Sequence, residues 1–549
     1  MAKSTLTHFG AVSRSLRRWS FQQGDGTVRV LGVYLGADIR AARDKSWAEI
    51  VGKVRRRLTL WAMRSLSLRA RVQVINSLVL PMVLHTLAVH DLPAQTLQMI
   101  LTAIRAFVWR GRPSLIAYAT LVCRVREGGL NLRDLGTVRC ALRVKLVQKL
   151  LSGGGLAYWL DFLQEQVGRC GPCGLFNLCG VPTVEQVETL DPLFAEVMRV
   201  WGGARRLLGA TIEHRDQVLL QPLLRNPCLA PASRPLVTTL LSRAGLHQVH
   251  HLVGSEGRVD RERVIRALRT NAVTFSPKVV VALCARVESA LPDSWGAVLR
   301  RQPKMGHGGA GDPGGTLPDF HVSWGGPPTA LQAMTTKKWY RLLVDKACRR
   351  PTAEVAWGQL FPGRDAGSIW HNVDLRFAGP DIFGTEYRIR HRRIFTAVIL
   401  RQIDKDRYKR TCVRCEKEDE TLEHLVLSCS SLVPFWVAVC GLLARCCAWS
   451  APTEQELYWT LIFGLPENSK TSDIWTTNLV LAVARHAIVV ARNCALYDNK
   501  KVNTWQFFKN WLRRHLRALW TVRPAWIENC SCSRATLCSM VGGQLMFNF

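Results

Sequence analysis

The chain has 549 residues, more than one hydrophobic core organises, so about two to four packed units are expected. Hydrophobic residues make up 48%, which excludes a mainly disordered chain, and 74 Lys plus Arg against 41 Asp plus Glu leave a formal net charge of +33. An excess spread along the whole chain points to a polyanion partner, nucleic acid first, with acidic membrane surfaces and acidic proteins as alternatives.

The opening MAKSTLTHFG lacks the apolar core of a secretory signal, so the 18 cysteines are expected in a reducing compartment. Free buried thiols plus one metal site then account for them better than a disulfide framework. Residues 1–27 precede the first clear element. VRVLGVYLG (28–36) is β-branched and ends in glycine, as a strand or hairpin piece does.

Three helical patterns come next. The first opens near Asp44 as N-cap and places Trp47, Ile50, Val51, Val54, Leu58 and Trp61 on one face, with Lys53, Arg55, Arg56 and Arg57 mostly elsewhere. The second runs from about Ser67 to Leu80, carries Arg69 and Arg71, and is ended or kinked by Pro81. The third starts at Pro93 and aligns Leu97, Ile100, Leu101, Ile104, Phe107 and Val108. With the basic helical pattern at 137–151, these make 28–150 a helical bundle with a short β element. Periodicity leaves open whether its arginines are merely solvated or line a nucleic-acid groove.

Residues 151–302 read as a helical middle region without a chemical motif. A Gly/Pro-rich linker is placed at 303–330, around GHGGAGDPGG (306–315). The C-terminal region, 331–549, opens with TTKKWYRLLV (335–344) and is helical. The apolar stretches Val72–Val89 and Leu479–Tyr497 are interrupted by Pro81 and His85, and by Arg485, His486 and Arg492, so both are expected as buried helices with no membrane role.

One motif carries chemistry. Residues 412–429, CVRCEKEDETLEHLVLSC, hold Cys412, Cys415, His424 and Cys429 in the spacing C-x2-C-x8-H-x4-C. A C-x2-C turn offers two thiolates on one side, and a His and Cys from a helical turn and its end can close a tetrahedron. Three sulfurs and one imidazole suit zinc and leave no open coordination position, so a structural Zn2+ is expected. The acidic run Glu416 to Glu420 between them reads as a solvated loop edge. A second C-x2-C, Cys170 and Cys173 in RCGPCG, sits in a Gly/Pro-rich turn without the strand and helix that redox chemistry needs. Asp404 and Asp406 lie in a mixed-charge surface stretch. Arg388, Arg390, Arg392 and Arg393 beside Phe395 are candidates for phosphate contact. In 509–520, Trp511, Leu516 and Trp520 share a face and are expected in the core.

The order of these features resembles the polymerase protein of LINE-type (non-LTR) retrotransposons, downstream of its catalytic palm. The residues that carry the resemblance are VLGVYLG, Trp47, the basic helix to Trp61, SLRARVQVINSLVLP, FVWRG (107–111), EGGLNLRDL (127–135), and the cysteine cluster followed by Trp436. It covers about 28–150, which looks like the family's thumb, and about 386–440, which looks like its reverse-transcriptase zinc-binding segment; little in 150–300 matches. The resemblance implies RNA-templated DNA synthesis at a nicked target, with RNA and DNA as partners, no small-molecule substrate for this chain alone, and an intracellular setting in the nucleus or a cytoplasmic ribonucleoprotein. It maps Cys412, Cys415, His424 and Cys429 onto the family's metal positions. The family's polymerase site needs paired aspartates, and this sequence has no Asp-Asp. The expectation is therefore a C-terminal, nucleic-acid-binding piece of such a polymerase, beginning at an internal start and inactive alone. The alternative is a retained fragment that scaffolds protein partners.

Overall fold

The computed structural model describes residues 5–6, 22–23, 26–151, 158–232, 235–301, 317–371, 379–447, 449, 453–465, 474–522, 537–542 and 544–549. The fold is mostly α-helical with small sheets. The chain forms two compact units, each drawn from three stretches: 1–52, 82–98 and 134–345 in the first, 53–81, 99–133 and 346–549 in the second. The stretch 28–150 is thus divided between both units, and residues 317–345 stay with the first. The Gly/Pro run 306–315 lies outside the described residues.

In the first unit, Thr27–Val30 and Val33–Gly36 form an antiparallel hairpin with Val30 opposite Val33. Leu31 (φ 49°) and Gly32 (φ 88°) make its two-residue turn, the left-handed pair that matches strand twist. The helix Ile39–Ala62 comes next, with its residues to Gly52 in the first unit and the rest in the second. Its cap is Asp38 rather than Asp44: the Asp38 carboxylate accepts the backbone N–H of Arg40 at 2.9 Å and of Ala41 at 3.0 Å. Asp44 instead pairs with Arg43 at 2.8 Å within the helix. Trp47, Ile50, Val51, Val54 and Leu58 are buried, as the 3.6-residue pattern requires.

The middle region adds helices, among them Tyr158–Arg169, Pro192–Arg205 and Pro277–Ala290. It also holds an antiparallel sheet not anticipated from sequence: Leu208–Thr211 pairs with Asp319–Val322, which pairs with Thr329–Ala330. Residues expected in a linker therefore build the central strand and one edge strand of a sheet. One core gathers around Trp201 and Trp339, another around Trp295 and Leu252. Arg143, in the basic pattern at 137–151, is buried; it donates to the carbonyls of Leu87 and His90, each at 2.7 Å, and faces Glu196 at 3.2 Å.

In the second unit, Leu68–Val74 is capped by Ser67 Oγ, which accepts from Ala70 N–H at 3.1 Å. Pro81 does not end this helical stretch. A π turn, Ile75–Val79, widens the helix just ahead of it, and the chain continues as Leu80–Val89. The wider turn accommodates a residue that lacks an N–H and whose ring would press on the carbonyl four residues back.

The unit is built on the helix Ile474–Tyr497, which packs against Pro380–Arg390, Val433–Cys447 and Thr504–Val522. Both Leu68–Val89 and Ile474–Tyr497 are long and apolar enough to cross a membrane by length and composition. Ile474–Tyr497 is the core helix here, and its Arg485 and Arg492 are neutralised by buried Glu386 and Glu420. The glycines of EGGL serve close approach. Gly128 is at φ 80°, and its carbonyl accepts from Tyr387 Oη at 3.0 Å and lies 2.8 Å from His391 Nε2. A Cβ on Gly129 would stand 1.9 Å from the Cys123 carbonyl oxygen. Gly129→Ala is therefore expected to lower the melting temperature clearly, against little change for Gly358→Ala, where a Cβ meets nothing within 4 Å; paired melting curves check this.

Candidate metal centre and basic faces

The cysteine cluster is assembled from two local structures. Thr411 and Asp419 form an antiparallel bridge. Cys412 N–H donates to Glu418 O at 2.8 Å and Glu420 N–H to Arg410 O at 2.9 Å. The loop turns at Glu416, held at φ 56°, whose N–H bonds to Cys412 O at 2.9 Å. This brings Cys412 and Cys415 to one side. On the other side, Thr421 Oγ1 accepts His424 N–H at 3.1 Å. The helical turn then widens into a π turn, His424–Ser428, closed by Cys429 N–H on His424 O at 3.2 Å. A π turn bonds residue i+5 back to i, so Cys429 returns over His424.

The four ligand atoms lie within 4.8 Å of one another and can hold a metal ion. Cys412 Sγ is 3.9 Å from Cys429 Sγ, and Cys415 Sγ is 3.4 Å from His424 Nε2. Cys412, His424 and Cys429 are buried and Cys415 is half-buried. His424 Nδ1 lies 3.1 Å from Glu418 Oε2, which orients the ring and leaves Nε2 facing the sulfurs. Burial pushes the Cys412 thiol up to about 12. Burial acts the same way on Cys415, but the backbone N–H groups of Lys417 and Glu418, with His424 and Cys412, outweigh it and bring the thiol down to about 6.

The support was largely invisible in the sequence. Glu420, expected in a solvated run, is fully buried; it pairs with Arg492 and accepts Ala397 N–H at 2.8 Å. Half-buried Arg414 donates to the carbonyls of Leu425, at 3.0 Å, and Ile488. Trp436 Nε1–H closes the π turn's Val426 carbonyl at 2.9 Å. The acid-rich charge pattern of 414–423 was the one available signal, and it does not say which acids turn inward.

No protein-family model matches this chain, and no curated protein matches it by sequence.

The basic candidates fall into distinct settings, all in the second unit. Arg55, Arg56, Arg57, Arg69, Arg388 and Arg393 are exposed; Lys53 and Arg392 are half-buried. Arg69 lies over the Phe383 ring at 5.9 Å, which places the Leu68–Val74 and Pro380–Arg390 helices side by side. Arg388 Nε donates to Gly384 O at 3.0 Å, and Arg392 pairs with Glu423 and covers the Trp357 ring at 4.5 Å. Two candidates are committed internally. Arg71 donates to the carbonyls of Leu66, at 3.2 and 3.1 Å, and of Val108, and burial with neighbouring Arg110 lowers it to about 10. Arg390 is fully buried, paired with Glu386 and bonded to Ile369 O at 2.9 Å and Phe463 O at 3.0 Å. The Arg390 guanidinium cannot turn to a phosphate without breaking the core, and that of Arg71 would give up its carbonyl partners. Trp511 and Trp520 are half-buried beside buried Leu516.

Cys170 and Cys173 are buried, and burial pushes both thiols up to about 11. They follow the C-terminal end of Tyr158–Arg169, and Cys173 precedes only the short 3-10 turn Gly174–Cys179, so burial prevails and the geometry disfavours a reactive thiolate. Asp404 Oδ1 accepts the N–H of Asp406 at 3.2 Å and of Arg407 at 3.0 Å and serves as a turn cap.

Proposed function

We propose that this chain is a nucleic-acid-binding part of a non-LTR retrotransposon reverse transcriptase, in which a structural zinc fixes a basic surface that holds primer–template or target. The Cys3His cluster is the observation that carries the reading. Zinc with bonds of about 2.3 Å to sulfur and about 2.05 Å to nitrogen defines tetrahedral edges of about 3.8 Å (S–S) and about 3.6 Å (S–N). The 3.9 Å between Cys412 and Cys429 and the 3.4 Å between Cys415 and His424 suit those edges. All four positions are filled by protein, so the ion would staple the loop 412–420 to the π turn and would open no site for substrate.

The exposed arginines supply the second part. Arg55, Arg56 and Arg57 on one helix, and Arg388 and Arg393 at the start of the 386–440 segment, supply positive charge on the surface of the same unit. Binding is then mainly electrostatic, with affinity falling steeply between low and moderate salt. The sequence lacks an Asp-Asp pair, so purified chain with Mg2+ and dNTPs is expected to give no templated primer extension; extension that requires template and dNTPs contradicts this. Protein scaffolding is the competing reading. Pull-downs repeated after nuclease treatment separate them: partners lost on treatment support nucleic acid, and partners retained support a scaffold.

A further inference from the structure

The first unit contains a cleft of about 460 Å³ that no part of the proposed function uses. Its size falls in the range of small-ligand pockets, roughly 300–1,000 Å³. The wall carries Arg225 and Arg243, and among the described residues no Asp or Glu lines it. Arg225 donates to Pro182 O at 3.1 Å, and among the described residues neither arginine is paired with a carboxylate. Two guanidiniums in a concave, acid-free wall focus positive potential and match a phosphate's geometry. The opposite chemistry is also present. Pro182, Pro222 and Leu224 also line the cleft, adding apolar surface against which a planar ring can pack. Asn177 and Gln186 add amide groups.

The cleft is built by fixed backbone. Arg225 is held at φ 54°, and its carbonyl accepts Val181 N–H at 3.0 Å, tying the two walls together. Gly171, at φ 148°, is one of the lining residues, and a Cβ there would come within 3.1 Å of Asn177 Oδ1. The buried thiols of Cys170 and Cys173 contribute wall and no nucleophile. This gives the CGPC turn a role that its sequence did not suggest.

We infer that this cleft binds a phosphomononucleotide group, its phosphate on Arg225 and Arg243 and its base against the Pro182, Pro222 and Leu224 side. The group can arrive as a free nucleotide or as the 5′-phosphorylated end of a strand. Isothermal titration of the full chain with 5′-AMP and with adenosine tests the assignment. Binding of 5′-AMP at least tenfold tighter than adenosine is expected, falling at least tenfold in Arg225→Gln/Arg243→Gln. A single Arg243→Gln change, on an exposed side chain, keeps the test open if the double variant misfolds, and is expected to weaken 5′-AMP several-fold with the melting curve unchanged. Equal affinity for AMP and adenosine, no binding of either, or undiminished AMP binding in folded variants overturns the inference. Displacement of AMP by a 5′-phosphorylated oligonucleotide, and not by its 5′-hydroxyl counterpart, identifies the strand end as the source; no displacement by either identifies the free nucleotide.

Discussion

Cys412→Ser is expected to yield protein without its metal and with the segment around 397–436 unfolded. Structural zinc sites of this type contribute on the order of 10–16 kcal/mol of apparent binding free energy, and that energy is folding energy where the loop has no other core. The loop 412–420 has a single bridge, Thr411 to Asp419, and few apolar side chains of its own. Loss of the ion releases the π turn as well, and with it the environment that keeps Glu420 and Arg492 buried together. The wild-type chain is expected to carry about one zinc by mass spectrometry of metals, and the variant none, with fast amide exchange confined at first to this segment. Glu418→Gln, which keeps a hydrogen-bond acceptor for His424 Nδ1 but removes its charge, is expected to weaken zinc retention about 10- to 100-fold and leave the fold in place at saturating metal. Metal-free wild-type protein with an ordered cluster contradicts the structural zinc.

Glu386→Gln carries the second large effect. Glu386 sits fully buried between Arg390 and Arg485, whose Nε and Nη2 each lie 2.7 Å from its carboxylate oxygens. Removing one partner of such a group leaves buried charge uncompensated, which costs about 3–5 kcal/mol. Burial alone pushes the Glu386 carboxyl up, but the two arginines outweigh it and hold it below its ordinary value. A depressed folded value means that the stabilisation is fully present above the unfolded carboxyl value of about 4.3 and is lost as pH falls below it. The variant is therefore expected to show a lower denaturation midpoint at pH 7 and a shallower loss of stability on acidification than wild type. Equal midpoints at pH 7 contradict the role given to this triad.

The sequence made the metal ligands legible because spacing and ligand type are local properties. Helix faces were legible for the same reason: Trp47, Val54, Ile100 and Ile104 are buried where periodicity put them. What sequence hid is what long-range contact decides. Arg390 and Arg393 look alike in RIRHRRIF, yet one is fully buried against Glu386, whereas the other is exposed. Glu420 and Glu418 differ in the same way, one inside with Arg492 and one beside His424. The three-stranded sheet was missed because its strands are two to four residues long and its first pairing, Leu208–Thr211 with Asp319–Val322, spans about a hundred positions. The continuation of the helix through Pro81 was hidden because a π turn, which carries no residue signature, absorbs the proline.

The most direct measurement is fluorescence anisotropy of a labelled RNA–DNA primer–template against salt, for wild type and Arg55→Gln/Arg56→Gln/Arg57→Gln. Each phosphate contact contributes about −0.7 to −0.9 to the slope of log K against log salt. The wild-type plot is expected to be linear and steep, and the triple variant, on exposed positions, shallower by about 2. A flat wild-type plot, or a triple variant with an unchanged slope, contradicts a nucleic-acid-binding surface centred on this helix.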